Sequence, residues 1–357
     1  MKNKREYSFD IIRTIAVFCI LLCHFNARYS FIYYGEDLRE YMLLSQYPFK
    51  LFLGDLGVSL FFIISGASLY YNYRDSLDIK TFYRKRFLKL YPMFWIAYLT
   101  IFAIRAKDML SSGIPVCNLI FTVIGMDGYL NGVIPTFYLI GEWFLGCIIL
   151  IYLIFPLLRI MYKRNRYLLW TVVLILYLIF TLKDTIPGLN KSSIIFVRIP
   201  EVLFGMEYAG YIRKKESDQD SLSRWVSHLW ALLSASVLIF SSVADIEWNN
   251  GIQTTLVGIS LFITVTYLWN VLKRSKFGQK RPLMVTEKIC AQVSKYSYAI
   301  FLVHHIVISI VCDRIDMLGL STVKRAGLFV ILQIFIFVCA RLLYFVTDLV
   351  TDLLHAQ

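Results

Sequence analysis

Apolar stretches long enough to cross a lipid bilayer recur along the whole 357-residue chain, and they constrain its fold more than any single motif. A spanning helix needs about 20 mainly apolar residues. Ten such stretches are read, at residues 11–25, 51–71, 90–104, 137–160, 167–182, 194–212, 226–243, 252–272, 293–312 and 326–346. The first and third are short and borrow length from their flanks, with Lys89 snorkelling toward the headgroups. Composition agrees: 58% hydrophobic and 17% charged residues leave too few charges to cover a soluble globule. The 24 Tyr, 27 Phe and 7 Trp exclude disorder. Residues 116–126 are apolar but short for a span, and the turn signals Asp127-Gly128 and Asn131-Gly132 follow, so a re-entrant or interfacial segment is expected there; the alternative, an eleventh span, would reverse the sidedness of everything after it. The expected fold is an all-α integral membrane protein of about ten transmembrane helices. One membrane domain covers residues 1–357, with no appended soluble domain.

The net charge of +13 invites a nucleic-acid reading until its distribution is followed along the chain. Cytoplasmic loops retain Lys and Arg. With the N-terminus placed inside, the inner segments hold 23 of the 37 basic residues and the outer segments 10. Arg13, Arg198, Lys295 and Arg341 fall within spans. The acidic residues divide evenly, 10 inner and 10 outer, with Asp55, Glu142, Glu201 and Glu207 in the spans. The whole excess therefore faces the cytoplasm, both termini are expected there, and no nucleic-acid partner is implied. The basic N-terminus followed by an apolar run mimics a signal peptide. Arg13 interrupts that run and no small-residue cleavage pattern follows, so the first helix is read as retained. The seven cysteines show no metal-binding spacing, and their odd number argues against a complete disulfide framework, though Cys117 and Cys312 are placed to face an oxidising side.

Ionisable groups inside spans are costly and are candidates for function. Arg13 and His24 lie eleven helical steps apart, about 20° past three full turns, so they share one helix face at an axial separation of about 16.5 Å. Arg84, Lys85, Arg86 and Lys89 form a basic cluster before Leu90-Tyr91-Pro92. Arg86 and Lys89 become i, i+3 neighbours if the third helix begins ahead of them, a pairing suited to a polyphosphate. Positive-inside topology would equally supply such a cluster. Arg198 and Glu201 are also i, i+3, which fits an internal ion pair as well as a substrate contact. Glu142 sits near the outer end of its span, His304 sits mid-span, and His305 points about 100° away from His304.

Five segments, in order, resemble the acyltransferase 3 family of integral membrane acyltransferases. FDIIRTIAVFCILLCHF carries the family's R-x10-H opening, and GVSLFFIISG resembles its second helix. FYRKRFLKLYPMFW is similar to its R-x-x-R-I-x-P stretch, VRIPEVLFGM to a later Arg/Pro/Glu/Gly helix, and SYAIFLVHH to its S-Y-x-x-Y-L-x-H element. Three positions depart from the family pattern. Lys89 stands where a second Arg is usual, Ser59 where Asp is frequent, and Phe301 where Tyr is usual.

The resemblance implies transfer of an acyl group, most commonly acetyl from acetyl-CoA, to a hydroxyl of a surface carbohydrate such as a polysaccharide, lipopolysaccharide or lipid-linked glycan. It implies a multi-pass protein of a bacterial plasma (inner) membrane. By the same resemblance, Arg86 and Lys89 hold the CoA phosphates with Arg13 nearby, and no metal takes part. His24 is the expected general base. Arg13 and His304 belong to the catalytic set, and Glu142 or Glu201 is expected to orient the base. Direct transfer is expected, because no serine sits in a recognisable nucleophile elbow; a covalent acyl-enzyme is the alternative. The competing functional class is a transporter or flippase for a glycan or lipid-linked sugar, and a non-enzymatic scaffold is a distant third.

Overall fold

In a computed structural model, residues 6–33, 39–44, 47–183, 186–217, 221–244, 246, 248–275 and 281–355 are described. Lys2, Lys4, Arg5, Lys276 and Lys280, which enter the charge count, lie outside them. The described residues are helical and loop, without a strand. Eleven helices follow in order: α1 Tyr7–Ile32, α2 Leu53–Tyr73, α3 Ile79–Leu110, α4 Leu119–Val123, α5 Asp127–Leu130, α6 Glu142–Leu182, α7 Ile195–Ser217, α8 Ser221–Val243, α9 Asn250–Arg274, α10 Arg281–Cys312 and α11 Thr322–His355. Eight of these are long and apolar enough to cross a membrane. Hydrocarbon offers the backbone no hydrogen-bond partner, and helices satisfy themselves within one segment.

All ten apolar stretches fall on helices, with two adjustments. The stretch read at 137–160 becomes helical only at Glu142. The 41-residue α6 is two helices in sequence. Asn165 takes an extended conformation (φ −157°, ψ 93°), and its side chain accepts from the Leu168 N–H at 3.0 Å, capping the second half. Helix α7 is as long as a span but carries Arg198, Glu201 and Glu207, which dilute its apolar character.

Residues 116–126 form no spanning helix. A 3₁₀ turn at Val116–Asn118 leads into α4, and Gly125 (φ 74°) turns the chain toward α5. Three aromatic residues on one face of α3 hold this segment and the chain leading to α6 by their carbonyls. Tyr91 donates to Ile124 O at 3.0 Å, Trp95 to Val123 O at 3.0 Å, and Tyr98 to Phe137 O at 2.6 Å. Their i, i+4, i+7 spacing repeats a helix face, so one stripe of α3 supplies donors to backbone that no regular element satisfies.

The chain forms two compact units. The first comprises Met1–Asn26, Met42–Asp75 and Arg198–Ser297; the second comprises Ala27–Tyr41, Ser76–Val197 and Tyr298–Gln357. In the first unit, α2 is the hub. A Cβ at Gly57 would lie 3.0 Å from Ala16 O of α1, and one at Gly66 would lie 2.0 Å from Val202 O of α7. On the facing helix, a Cβ at Gly205 would lie 2.0 Å from Ile63 O. Helices α2 and α7 thus touch backbone to backbone through reciprocal glycines, the small-residue contact by which membrane helices pack. Two of the sequence segments quoted above, GVSLFFIISG and VRIPEVLFGM, are the two sides of this crossing. Helix α9 packs on both α2 and α8. In the second unit, α3 packs on α6 and α11, and α5 packs on α6.

Candidate functional site

In the first unit, α1 carries Arg13 and His24 without interruption, so the shared face inferred from their spacing exists. Arg13 donates to Ser294 Oγ of α10 at 2.5 Å and lies 3.8 Å from Asp10, one turn earlier. The guanidinium is therefore oriented by two side chains while a quarter of its surface stays open, at 24% side-chain exposure. His24 is half-buried near the C-terminal end of the helix. Two residues beyond it, Asn26 donates to Leu43 O at 2.9 Å and accepts from Leu43 N at 3.0 Å, a paired contact that anchors the following segment beside the histidine's turn.

Deeper in this unit, Arg198 Nη1 lies 3.3 Å from Glu201 Oε1 and Nη2 lies 3.5 Å from Asp55 Oδ1. Glu201 is fully buried and Arg198 nearly so. The guanidinium also sits 5.8 Å from the Phe62 ring centroid, and Asn250 donates to Asp55 Oδ2 at 3.2 Å. The i, i+3 ion pair read from sequence is present. Asp55 as its third member was not legible there, because it comes from α2, 143 residues away in the chain.

In the second unit, Asp78 caps α3 by accepting from the Thr81 N–H at 2.7 Å, so the helix begins ahead of the basic cluster. Hydrogen bonding from the Thr81 hydroxyl first, and from its N–H second, holds the Asp78 carboxyl below the usual carboxylate range. Arg86 and Lys89 are accordingly i, i+3 on a formed helix. The Arg86 guanidinium lies over the Phe82 and Tyr152 rings at 5.6 and 5.5 Å, so aromatic faces from α3 and α6 set its direction. Lys89 is exposed.

Glu142 opens α6 in a left-handed conformation (φ 42°), after Gly141 at φ 95°. A non-glycine residue there costs about 1–2 kcal/mol, and such strain persists where the surroundings enforce it. Helix α5 enforces it: a Cβ on Gly128 would lie 2.5 Å from the Glu142 carbonyl carbon. The Glu142 carboxylate lies 3.9 Å from His305 Nε2. His304 is fully buried, and its Nδ1 faces the carbonyls of Phe301 and Ile300 at 2.8 and 3.2 Å. Donation to those acceptors places the proton on Nδ1 and the lone pair on Nε2. Phe301 packs edge-on to Phe144 and near His304, filling its place with a ring that brings no hydroxyl.

One acid escaped the sequence reading. Asp127 appeared there only as a turn residue, yet it is 1% exposed and neither carboxylate oxygen makes a normal hydrogen bond. Burial pushes its carboxyl up to about 6, with the Thr122 hydroxyl opposing in part. A raised carboxyl pKa means the folded chain keeps a proton that the unfolded chain releases. Stability is then full below about pH 4, falls as pH rises toward 6, and stays reduced above that. Asp127→Asn should therefore melt higher than the parent at pH 7.5, by about 1–3 kcal/mol, with the difference gone at pH 4. Thermal unfolding in detergent at the two pH values checks this; a difference that does not change with pH contradicts it.

All seven cysteines are free thiols, including exposed Cys117 and buried Cys312.

A family model described as an acyltransferase domain matches residues 6–345. The chain belongs to this acyltransferase family, and with eight apolar helices of spanning length it is a multi-pass membrane member. A similar protein is the acyltransferase MdmB of Streptomyces mycarofaciens, 34% identical over 110 residues, a match covering 29% of this chain and 28% of that protein. No solved structure matches the chain.

Proposed function

We propose that this protein is a membrane O-acyltransferase that moves an acyl group, acetyl foremost, from cytoplasmic acyl-CoA to a hydroxyl of a surface or lipid-linked carbohydrate. The observation that carries the reading is the family match over nearly the whole chain, together with the family's Arg-x10-His pair on one unbroken helix. His24 is the base. As the acceptor oxygen attacks the thioester carbonyl, its hydroxyl proton passes to the neutral imidazole; the C–S bond then breaks and the departing CoA thiolate takes that proton from the imidazolium. Arg198 holds Glu201, so we assign the orienting role to Glu142, whose strained position is of the kind found at functional sites. Arg86 and Lys89 hold the donor's phosphates, with Arg13 beside them in role. Arg86 is pre-oriented by Phe82 and Tyr152, which lowers the cost of forming a charge-assisted contact.

The test is purified protein incubated with labelled acetyl-CoA and candidate glycans. Label should appear on the acceptor; vesicle uptake of glycan without acyl transfer would instead mark a carrier. In the same assay, Arg86→Gln with Lys89→Gln should raise the donor KM by about 10–100-fold and leave kcat nearly unchanged. An unchanged donor KM refutes the phosphate role.

A further inference from the structure

In the first unit, α7, α8 and α9 enclose a groove of about 740 Å³ that the acyl-transfer chemistry does not use. On α9 its lining runs from Ile259 to Ser275, about 24 Å of helix. One leaflet of a bilayer with its headgroups is about 20–22 Å thick, half of the whole. Along the groove the chemistry changes in one direction. Phe204, Tyr208, Ile259 and Ile263 line the deep end, whereas His228, Asn270 and Arg274 line the other. The loop charges assign that second end to the cytoplasmic side. Arg274 is exposed in the last turn of α9 and has no ion-pair partner among the described residues, while its neighbour Lys273 pairs with Glu287 at 2.8 Å. The His228 ring is tied to the Tyr267 hydroxyl across the helix boundary, at 2.5 Å, which keeps the wall closed between α8 and α9. Glu207, the carboxylate in the lining, is engaged within the protein.

We propose that this groove is a binding site for one anionic phospholipid of the cytoplasmic leaflet, with an acyl chain along Tyr208, Ile259 and Ile263 and the phosphate on Arg274. An apolar cleft that opens onto a cation at headgroup depth matches a lipid from end to end. Trp230, half in the groove and 57% exposed, supplies the aromatic contact typical of interfacial depth. A second copy of the chain would meet Arg274 with its own cationic inner face. An extended peptide would leave backbone groups unsatisfied in the apolar end, and an apolar helix would bring no anion to Arg274. The proposal stands independently of the acyl-transfer reading.

The experiment is quenching of Trp230 fluorescence in vesicles of phosphatidylcholine doped with brominated phosphatidylglycerol or brominated phosphatidylcholine at equal mole fraction. The Trp230 contribution is obtained by subtracting a Trp230→Phe protein, since six other tryptophans remain. Brominated phosphatidylglycerol should quench Trp230 at least twofold more than the zwitterionic lipid. That preference should vanish in Arg274→Gln and survive in Lys273→Gln. Equal quenching by both lipids overturns the proposal, because it describes an ordinary lipid-facing surface. Equal loss in both charge variants also overturns it, because it describes diffuse surface charge. A Trp230 that neither lipid quenches shows the groove covered by protein and rejects a lipid site outright.

Discussion

His24→Ala is expected to lower acyl transfer by about 10²–10⁴-fold in protein that inserts and purifies like the parent. The size follows from what the imidazole does. A carbohydrate hydroxyl is a poor nucleophile at neutral pH, and a positioned base removes its proton as the bond to the thioester carbon forms. Donor binding should be little changed, because His24 and Arg13 are about 16.5 Å apart along α1 and only the latter carries charge suited to phosphate. Arg13→Ala should show the complementary pattern, a raised donor KM with a smaller loss in kcat. Its hydrogen bond to Ser294 shows that it also ties α1 to α10, so a thermal-unfolding control belongs beside it. Acceptor acylation at the parental rate by a folded His24→Ala protein would remove the general-base role.

How far the sequence discloses this protein depends on the range of the interactions concerned. The helices were legible because hydrophobic length is written residue by residue, and 116–126 was recognised as short for a span for the same reason. The Arg13–His24 face and the Arg86–Lys89 spacing were legible because helical spacing is local, while the Asp78 cap that starts α3 ahead of the pair came from the structure. Partners from distant parts of the chain were not. Ser294 for Arg13, Tyr152 for Arg86 and Asp55 for Arg198 come from other helices, and no spacing rule reaches across them. The burial of Asp127 was hidden for a second reason. Asp-Gly is an ordinary surface-turn signal, and here the short helix α5 that it opens packs against α6, Gly128 on Glu142 and Tyr129 on Gly146. The left-handed start of α6 at Glu142 follows from the same packing, since α5 fixes the direction in which the chain must enter the helix.

Arg198→Ala is expected to destabilise the protein by about 3–5 kcal/mol, the cost of leaving buried charge uncompensated. Among the described residues Arg198 is the largest of the side chains buried this deeply, held between Glu201 and Asp55 over the Phe62 ring. Removing it leaves two carboxylates facing each other in an apolar surround, with Asn250 as a donor to only one of them. The penalty is then mostly repulsion and desolvation, which the second site can relieve. Arg198→Met combined with Glu201→Gln should recover at least half of the loss, because a neutral pair of similar volume no longer needs the cation. Asp55 keeps its partial exposure and its Asn250 contact in that variant. The same double variant separates the two roles open to this cluster. If the ion pair only holds α2 and α7 together, as the reciprocal Gly66 and Gly205 contact beside it suggests, activity per folded molecule should survive within a few-fold. If Arg198 binds substrate, stability should return while the acceptor KM stays raised. Unfolding midpoints measured with kinetics on the same preparations distinguish the outcomes, and recovery of neither quantity would show that the network's geometry matters beyond its charge balance.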